Sequence, residues 1–154
     1  MSVVKPIVQT AAGNTLRSGR DLAAAGLIDA DAVAAADAAA RALPIAITPE
    51  IAALIEVGDA DDPIARQFVP DARELEAGEE ERADPIGDHA FSPLSGIVHR
   101  YPDRVLLMPV MTCPVYCRFC FRRDGVGPKG GALTEAELDA ALDYIRGHDE
   151  IREV

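Results

Sequence analysis

Arg104-Val-Leu-Leu-Met-Pro-Val110 is the stretch that decides the fold class. It is a short apolar run rich in strand-forming residues, consistent with a buried parallel strand, although Pro109 removes a ladder donor and favours a sheet edge. A long loop to Gly131 follows and holds all three cysteines. Thr134-Glu-Ala-Glu137 is then a capping box, and Leu138, Ala141, Leu142 and Ile145 recur at helical spacing until Gly147. Ile151-Arg-Glu-Val154 has the pattern of a second strand beginning. Strand, loop, helix and strand make one βαβ unit with a right-handed crossover. Two strands and one helix cannot close a parallel sheet or barrel, so the sequence reads most simply as the N-terminal part of a longer α/β protein.

Upstream, residues 1–98 read as an N-terminal helical region and linker, set apart from residues 99–154. Ser18-Gly-Arg-Asp21 has the form of a capping box that opens a short helix through Leu22 to Ala25, with Gly26 as its stop. Asp31 to Leu43 is alanine-rich, a strong helix former ended by Pro44. Thr48-Pro49-Glu50 supplies an N-cap, an N1 proline and an early acid ahead of Ile51, Leu54 and Ile55, and Gly58 closes that helix. Alanine-rich faces bury little area at about 25 cal/mol per Å², so these thin helices need another surface to pack on. The acidic stretches Gly58–Pro63 and Glu74–Asp84 lack the alternating ligands and fixed glycine of an EF-hand loop and read as solvated surface.

The 154 residues carry 15 Lys+Arg against 26 Asp+Glu, a formal net charge of −11. The imbalance is local: residues 1–98 hold 7 basic and 17 acidic side chains, 99–129 hold 6 and 2, and 130–154 hold 2 and 7. One basic island in an acidic chain argues against nucleic-acid binding, which wants a continuous basic face, and for a small anionic ligand. The longest uninterrupted apolar stretch, Val105–Met111, has seven residues. A membrane helix needs roughly 20, so no membrane partner is expected. The opening Met1-Ser-Val-Val-Lys5-Pro6 lacks the charged and apolar regions of a secretory signal, which makes a cytoplasmic address the expectation.

Cys113-Pro-Val-Tyr-Cys117-Arg-Phe-Cys120 has the spacing C-x3-C-x2-C. Three cysteines within eight residues are too close for a disulfide framework and suit a metal in a reducing compartment. Three thiolates can hold three corners of a [4Fe–4S] cube and leave the fourth iron open to an exogenous ligand, whereas electron-transfer clusters normally use four cysteines. A zinc site with a histidine as fourth ligand is the alternative, but His99 lies 14 residues before Cys113 and His148 lies 28 after Cys120, neither at a familiar spacing. Three buried structural thiols are a further alternative, at odds with a Pro/Gly/Arg loop.

At these residues the chain resembles a known family. Cys113-x3-Cys117-x-Phe119-Cys120, with an aromatic before the last cysteine, is similar to the radical S-adenosylmethionine (SAM) signature on a first barrel strand. His99-Arg-Tyr-Pro-Asp-Arg-Val105, Phe121-Arg-Arg123, Asp62-Pro-Ile-Ala-Arg-Gln67 and Asp84-Pro-Ile-Gly87 narrow the resemblance to the lysine 2,3-aminomutase family. It implies an N-terminal helical region followed by the first βα unit of a partial (β/α) radical SAM barrel, incomplete in this chain. The implied cofactors are a [4Fe–4S] cluster, S-adenosyl-L-methionine and pyridoxal 5′-phosphate (PLP). In the family, the open iron chelates SAM and an electron from the cluster breaks the sulfonium C–S bond. The resulting 5′-deoxyadenosyl radical takes a hydrogen from an amino acid held on PLP, whose amino group then migrates between neighbouring carbons. A small amino-acid substrate, with free L-lysine favoured, a reductant such as flavodoxin or ferredoxin, and a homo-oligomeric full-length form complete the expectation.

Carried over residue by residue, Cys113, Cys117 and Cys120 become cluster ligands and Phe119 lies near the adenine of SAM. Arg100 and Arg104 match family arginines that bind the PLP phosphate, in keeping with the preference of a dianion for charged forks. The alternative is a surface ion-pair cluster of Arg100, Asp103 and Arg104. Arg122 matches an arginine that contacts the substrate carboxylate, against a solvated loop arginine, and Arg123 stands open between such roles. His99 stands open between capping a turn and touching a cofactor, and His148 reads as surface. Gly125, Gly127, Gly130 and Gly131 read as a flexible loop, because a phosphate fingerprint needs G-x-G-x-x-G directly between strand and helix.

The family's SAM-amino segment and its PLP lysine belong beyond Val154, and neither lysine of this chain, Lys5 or Lys129, matches that lysine. These 154 residues alone are therefore expected to be inactive. Three other readings remain: an aminomutase acting in elongation factor P β-lysylation, for which Phe121 argues; a radical SAM enzyme without PLP; and a non-catalytic helical interaction module stabilised by zinc.

Overall fold

The computed structural model describes residues 13–76, 78, 80–123, 125–127 and 130–154. Lys5, Lys129 and the opening residues 1–6, read as lacking a secretory signal, lie outside the described residues. The chain divides into two compact units, one formed up to Glu80 with Pro114–Cys120, the other by Glu81–Cys113 and Phe121–Val154.

In the first unit α1 (Gly19–Ala24) opens on Ser18. The Ser18 hydroxyl accepts the Asp21 amide at 3.2 Å and the Asp21 carboxylate accepts the Ser18 amide at 3.0 Å, the reciprocal box that the sequence spells. Gly26 follows at φ +72°, a conformation that L side chains rarely adopt. The alanine-rich helix forms as α2 (Val33–Ala39), shorter than expected because the Arg41 and Ala42 amides bond three residues back and tighten the end. α3 (Pro49–Ala52) is a single turn that does not reach Gly58, since the Leu54 and Ile55 amides also bond three residues back. α4 (Pro63–Phe68) follows the first acidic stretch, at residues for which no helix was read; the Asp62 carboxylate accepts the Ala65 amide at 2.6 Å and Pro63 fills the first helical position.

Leu16, Leu22, Ala36, Ile45, Ile47, Ala52 and Phe68 form the core of this unit, with Val115 and Cys117 packed against it. The extra surface that thin alanine faces require comes from within the unit. One part is the bridge in which Leu16 and Ile47 exchange amide–carbonyl bonds at 2.8 and 3.1 Å. The other is the cysteine-bearing segment.

The second unit is built on a hairpin, β1 (Ile97–Tyr101) and β2 (Arg104–Leu107), paired antiparallel with Ile97 opposite Leu107 and Tyr101 opposite Arg104. The expected strand forms, but its ladder is an antiparallel one that was not expected: the apolar run pairs with the chain just before it, across Pro102 and Asp103, and ends at Leu107 before the amide-less Pro109. The Pro109 carbonyl accepts the Leu133 amide at 2.9 Å, and the Met111 amide donates to the Gly131 carbonyl at 2.8 Å. Gly130 sits against this crossing, where a Cβ would come within 2.6 Å of the Met111 and Gly125 carbonyl oxygens. The glycine stretch is therefore tied down at Gly130 and Gly131.

α5 (Glu135–Arg146) forms as the spacing predicts, with the Glu137 carboxylate accepting the Thr134 amide at 2.8 Å and the Thr134 hydroxyl accepting the Glu137 amide at 3.3 Å. Ile97, Val105 and Ala141 make the core here, with Leu94, Leu107, Tyr144, Ile145 and Ile151 around them. The expected second strand is present as a single parallel bridge, Glu153 to Arg104, in which the Val105 amide donates to the Glu153 carbonyl at 3.0 Å. The described residues are thus mixed helix and a two-stranded sheet, compatible with the α/β class. No helix among them is long and apolar enough to cross a membrane.

Candidate functional site

The cysteine-bearing segment of the first unit is held by its backbone. The Tyr116 amide donates to the Ala46 carbonyl at 3.2 Å and the Arg118 amide to the Gln67 carbonyl at 2.6 Å. Cys117, between them, is half-buried against the core, and the Cys120 amide donates to the Cys117 carbonyl at 3.1 Å. Arg118, which the sequence reading passed over, anchors the segment: its side chain is only 4% exposed. Nε donates to both Glu74 oxygens at 2.9 and 3.1 Å, Nη2 to Glu74 at 2.5 Å, and Nη1 to the Leu43 and Pro44 carbonyls at 2.8 and 3.3 Å. Every guanidinium nitrogen is engaged, as burial of a charge demands. No local signal marks this, because the partners lie 44 to 75 residues away in sequence.

All three thiols are free, with Cys113 exposed and Cys120 half-buried. Free thiols suit iron–sulfur or zinc chemistry. Among the described residues no group of three or more His, Cys, Asp or Glu side chains is placed to hold a metal ion. Phe119 leaves 69% of its surface in water.

The arginines of the second unit fall into two settings. Arg100 donates from Nη2 to Asp88 Oδ1 at 3.1 Å and to the Ile86 carbonyl at 2.6 Å, and its guanidinium carbon lies 4.6 Å from the Phe91 ring centroid. Arg122 donates from Nε and Nη2 to Asp88 Oδ2 at 3.1 and 2.8 Å, with its own guanidinium 4.8 Å from the Phe121 ring. The residues matched to a phosphate and to a carboxylate therefore meet at one carboxylate. Arg104 is elsewhere, exposed, bonded to Asp103 at 3.1 and 3.2 Å and 3.7 Å from Glu153; of the surface cluster weighed for Arg100, Asp103 and Arg104, the Arg104–Asp103 pair forms, while Arg100 pairs with Asp88. The hydrogen-bonded Arg104 guanidinium holds the Asp103 carboxyl below its usual range.

The turn that presents Asp88 is itself organised by Asp84. Its carboxylate accepts the His89 and Asp88 amides at 2.8 and 2.9 Å, and these bonds, the His89 amide first, hold its pKa below the ordinary value. His99 Nδ1 lies 2.9 Å from the Tyr144 hydroxyl, and its buried Nε2 has no hydrogen-bond partner among the described residues. His148, expected at the surface, is half-buried, with Nδ1 2.6 Å from the Tyr144 carbonyl and its ring edge-on to His99 at 5.5 Å.

No family model matches the chain. Among characterised proteins it is 40% identical over 114 residues to the L-lysine 2,3-aminomutase of Clostridium subterminale, covering 74% of this chain and 27% of that protein. This chain belongs to the lysine 2,3-aminomutase family. Within that family it is 38% identical over 113 residues to the L-lysine 2,3-aminomutase of Bacillus subtilis, covering 73% of this chain and 24% of the relative. It is also 38% identical over 109 residues to the glutamate 2,3-aminomutase of Clostridioides difficile, covering 71% and 26%. The chain spans about a quarter of the length of these aminomutases. Membership bears out the family resemblance read from the cysteine and arginine motifs.

Proposed function

We propose that these residues serve a radical SAM, PLP-dependent 2,3-aminomutase that converts L-lysine to β-lysine. The observation that carries the reading is the meeting of Arg100 and Arg122 at Asp88. Two guanidinium groups beside one another suit a pair of anions, a cofactor phosphate and an amino-acid carboxylate. The donors fit: Arg100 makes its two bonds from Nη2, and Arg122 makes its two from Nε and Nη2, so Nε and Nη1 of Arg100 and Nη1 of Arg122 take no part in them. Arg100 would bind the phosphate and Arg122 would orient the substrate carboxylate; Arg104, matched to the same phosphate, would first have to leave its ion pairs with Asp103 and Glu153.

Cys113, Cys117 and Cys120 would hold a [4Fe–4S] cluster, on the strength of their spacing and their free thiols. Phe119 offers an exposed ring to the adenine of SAM. When bound, these cofactors supply the radical that removes a substrate hydrogen and the carrier for the migrating amino group. The chain's own contribution is orientation: Arg118 fixes the backbone between Cys117 and Cys120, and the arginine pair fixes the anionic ends. A flavodoxin- or ferredoxin-type reductant in the cytoplasm and a homo-oligomeric full-length form belong to the same proposal. The lysine substrate is supported by the names of the Clostridium subterminale and Bacillus subtilis relatives.

The test is anaerobic incubation of the full-length protein with SAM, PLP and a reductant, separately with L-lysine and L-glutamate, followed by chromatography of β-amino acids and 5′-deoxyadenosine. β-Lysine is the expected product. β-Glutamate without β-lysine moves the substrate to glutamate, and SAM cleavage with neither product overturns the aminomutase reading. Absence of SAM cleavage overturns the radical reading altogether.

A further inference from the structure

We infer that Asp88 is the positioning residue that sets Arg100 and Arg122 as a pair, so that one carboxylate governs both the phosphate arm and the substrate-carboxylate arm. The inference rests on the function proposed above and assigns a role to a residue that touches neither ligand. Asp88 is 14% exposed at its side chain and divides its oxygens, Oδ1 to Arg100 and Oδ2 to Arg122. Its own position is fixed on both sides. Its amide donates to Asp84 Oδ1 at 2.9 Å, and its carbonyl accepts the Phe91 amide at 3.0 Å and the Ser92 hydroxyl at 2.8 Å.

The same short segment supplies the rest of the Arg100 setting, through the Ile86 carbonyl at 2.6 Å and the Phe91 ring at 4.6 Å. Arg122 lies 34 residues further along the chain than Asp88, so the carboxylate joins two stretches of the second unit. Electrostatics gives the arrangement a purpose. Two neighbouring guanidinium groups repel when partly removed from water, and a single carboxylate between them relieves that repulsion. Within the trio one anion faces two cations, and the nitrogens not directed at Asp88 are the ones that would meet anionic ligands, with the Asp84 carboxylate occupied by the Asp88 and His89 amides. A neutral amide at position 88 keeps the shape and removes the charge, freeing both arms at once.

The experiment uses the full-length protein, with Asp88→Asn and Asp88→Glu beside the wild type. Three quantities are read: the dissociation constants for PLP and for phosphate-free pyridoxal, the split between KM and kcat for the amino acid, and iron and sulfide content. For Asp88→Asn the expected result is a PLP dissociation constant and a KM both raised about tenfold, the scale of one charge-assisted hydrogen bond. Pyridoxal affinity and iron content should match the wild type, and Asp88→Glu should recover part of the loss. A merely structural role would lower cluster content and pyridoxal affinity as well, and that pattern overturns the inference. So do unchanged PLP affinity and KM, or tighter PLP binding, which would make Asp88 a competitor of the ligand. If Asp88→Asn does not fold, Asp88→Glu decides by the same criteria, since its longer arm displaces both guanidinium groups. A wild-type protein that binds no PLP sinks the proposed function itself and this inference with it. Normal wild-type binding with an indifferent Asp88→Asn sinks only the inference.

Discussion

Glu74 and Arg118 close on one another across 44 residues of sequence, with the guanidinium donating to both carboxylate oxygens at 2.5 to 3.1 Å. The pair is buried on the arginine side and largely so on the acid side, and the remaining donors fall on the Leu43 and Pro44 carbonyls. Arg118 lies between Cys117 and Cys120, so this ion pair ties the cysteine-bearing segment to the helical unit.

Removing one partner of a buried pair takes away most of what offsets the other charge. Arg118→Met should destabilise the protein by about 3–5 kcal/mol, since Glu74 loses its bonds from the guanidinium, keeping the Asp71 amide at 3.0 Å, and the Leu43 and Pro44 carbonyls lose theirs. Arg118→Lys should recover little of this, because a lysine cannot reproduce the fork. Urea denaturation of the three proteins checks the order, and alkylation of Cys117 should quicken in the same order as its segment loosens.

Packing in the first unit is carried by a few large side chains among many alanines. Leu22 is fully buried, so Leu22→Ala should cost about 2–5 kcal/mol. Leu54 is 59% exposed, so Leu54→Ala should stay within about 0.5 kcal/mol. Thermal melts of both variants test the contrast.

Gly130 has backbone oxygens where a side chain would begin. Gly130→Ala should cost about 1–3 kcal/mol, as overpacking does, and should expose the Met111 amide to hydrogen exchange by loosening its bond to Gly131.

The turn that carries Glu74 has its own pH signature. Asp71 accepts hydrogen bonds from the Arg73 side chain and amide, which lower its pKa to about 2. A carboxyl depressed on folding stabilises the native state in full above its unfolded value of about 4, and that contribution is lost as pH falls through about 2. Asp71→Asn should therefore lower the melting temperature near pH 6, and the difference should shrink as pH falls from about 4 through about 2. Because Asp71 and Arg73 are substantially exposed, the effect should be small and weaken with salt.

What the sequence made legible were features whose determinants lie within four residues of each other. The boxes at Ser18–Asp21 and Thr134–Glu137 are of this kind, and both helices start where they predict. α3 was overextended because Leu54 and Ile55 continue an apolar spacing although the chain tightens after Ala52. The hairpin was missed because a charge boundary at residue 99 cut across Ile97–Tyr101, whose partner strand follows directly after Pro102 and Asp103. Arg118 and Asp88 were invisible for a different reason. Their side-chain partners lie 12 to 75 residues distant, and nothing in the local pattern distinguishes them from solvated charge. The arginines Arg100 and Arg122 were found, but their meeting at a shared carboxylate is a property of the folded chain alone.

The most direct test of the account is the metal content of the full-length protein after anaerobic reconstitution with iron and sulfide, read with electron paramagnetic resonance before and after SAM is added. About four irons and four sulfides per chain, with a SAM-dependent change in the spectrum that Cys117→Ser abolishes, is the predicted result for a cluster held by Cys113, Cys117 and Cys120 with one open iron. Stoichiometric zinc with no cluster, or a spectrum indifferent to SAM, would contradict it.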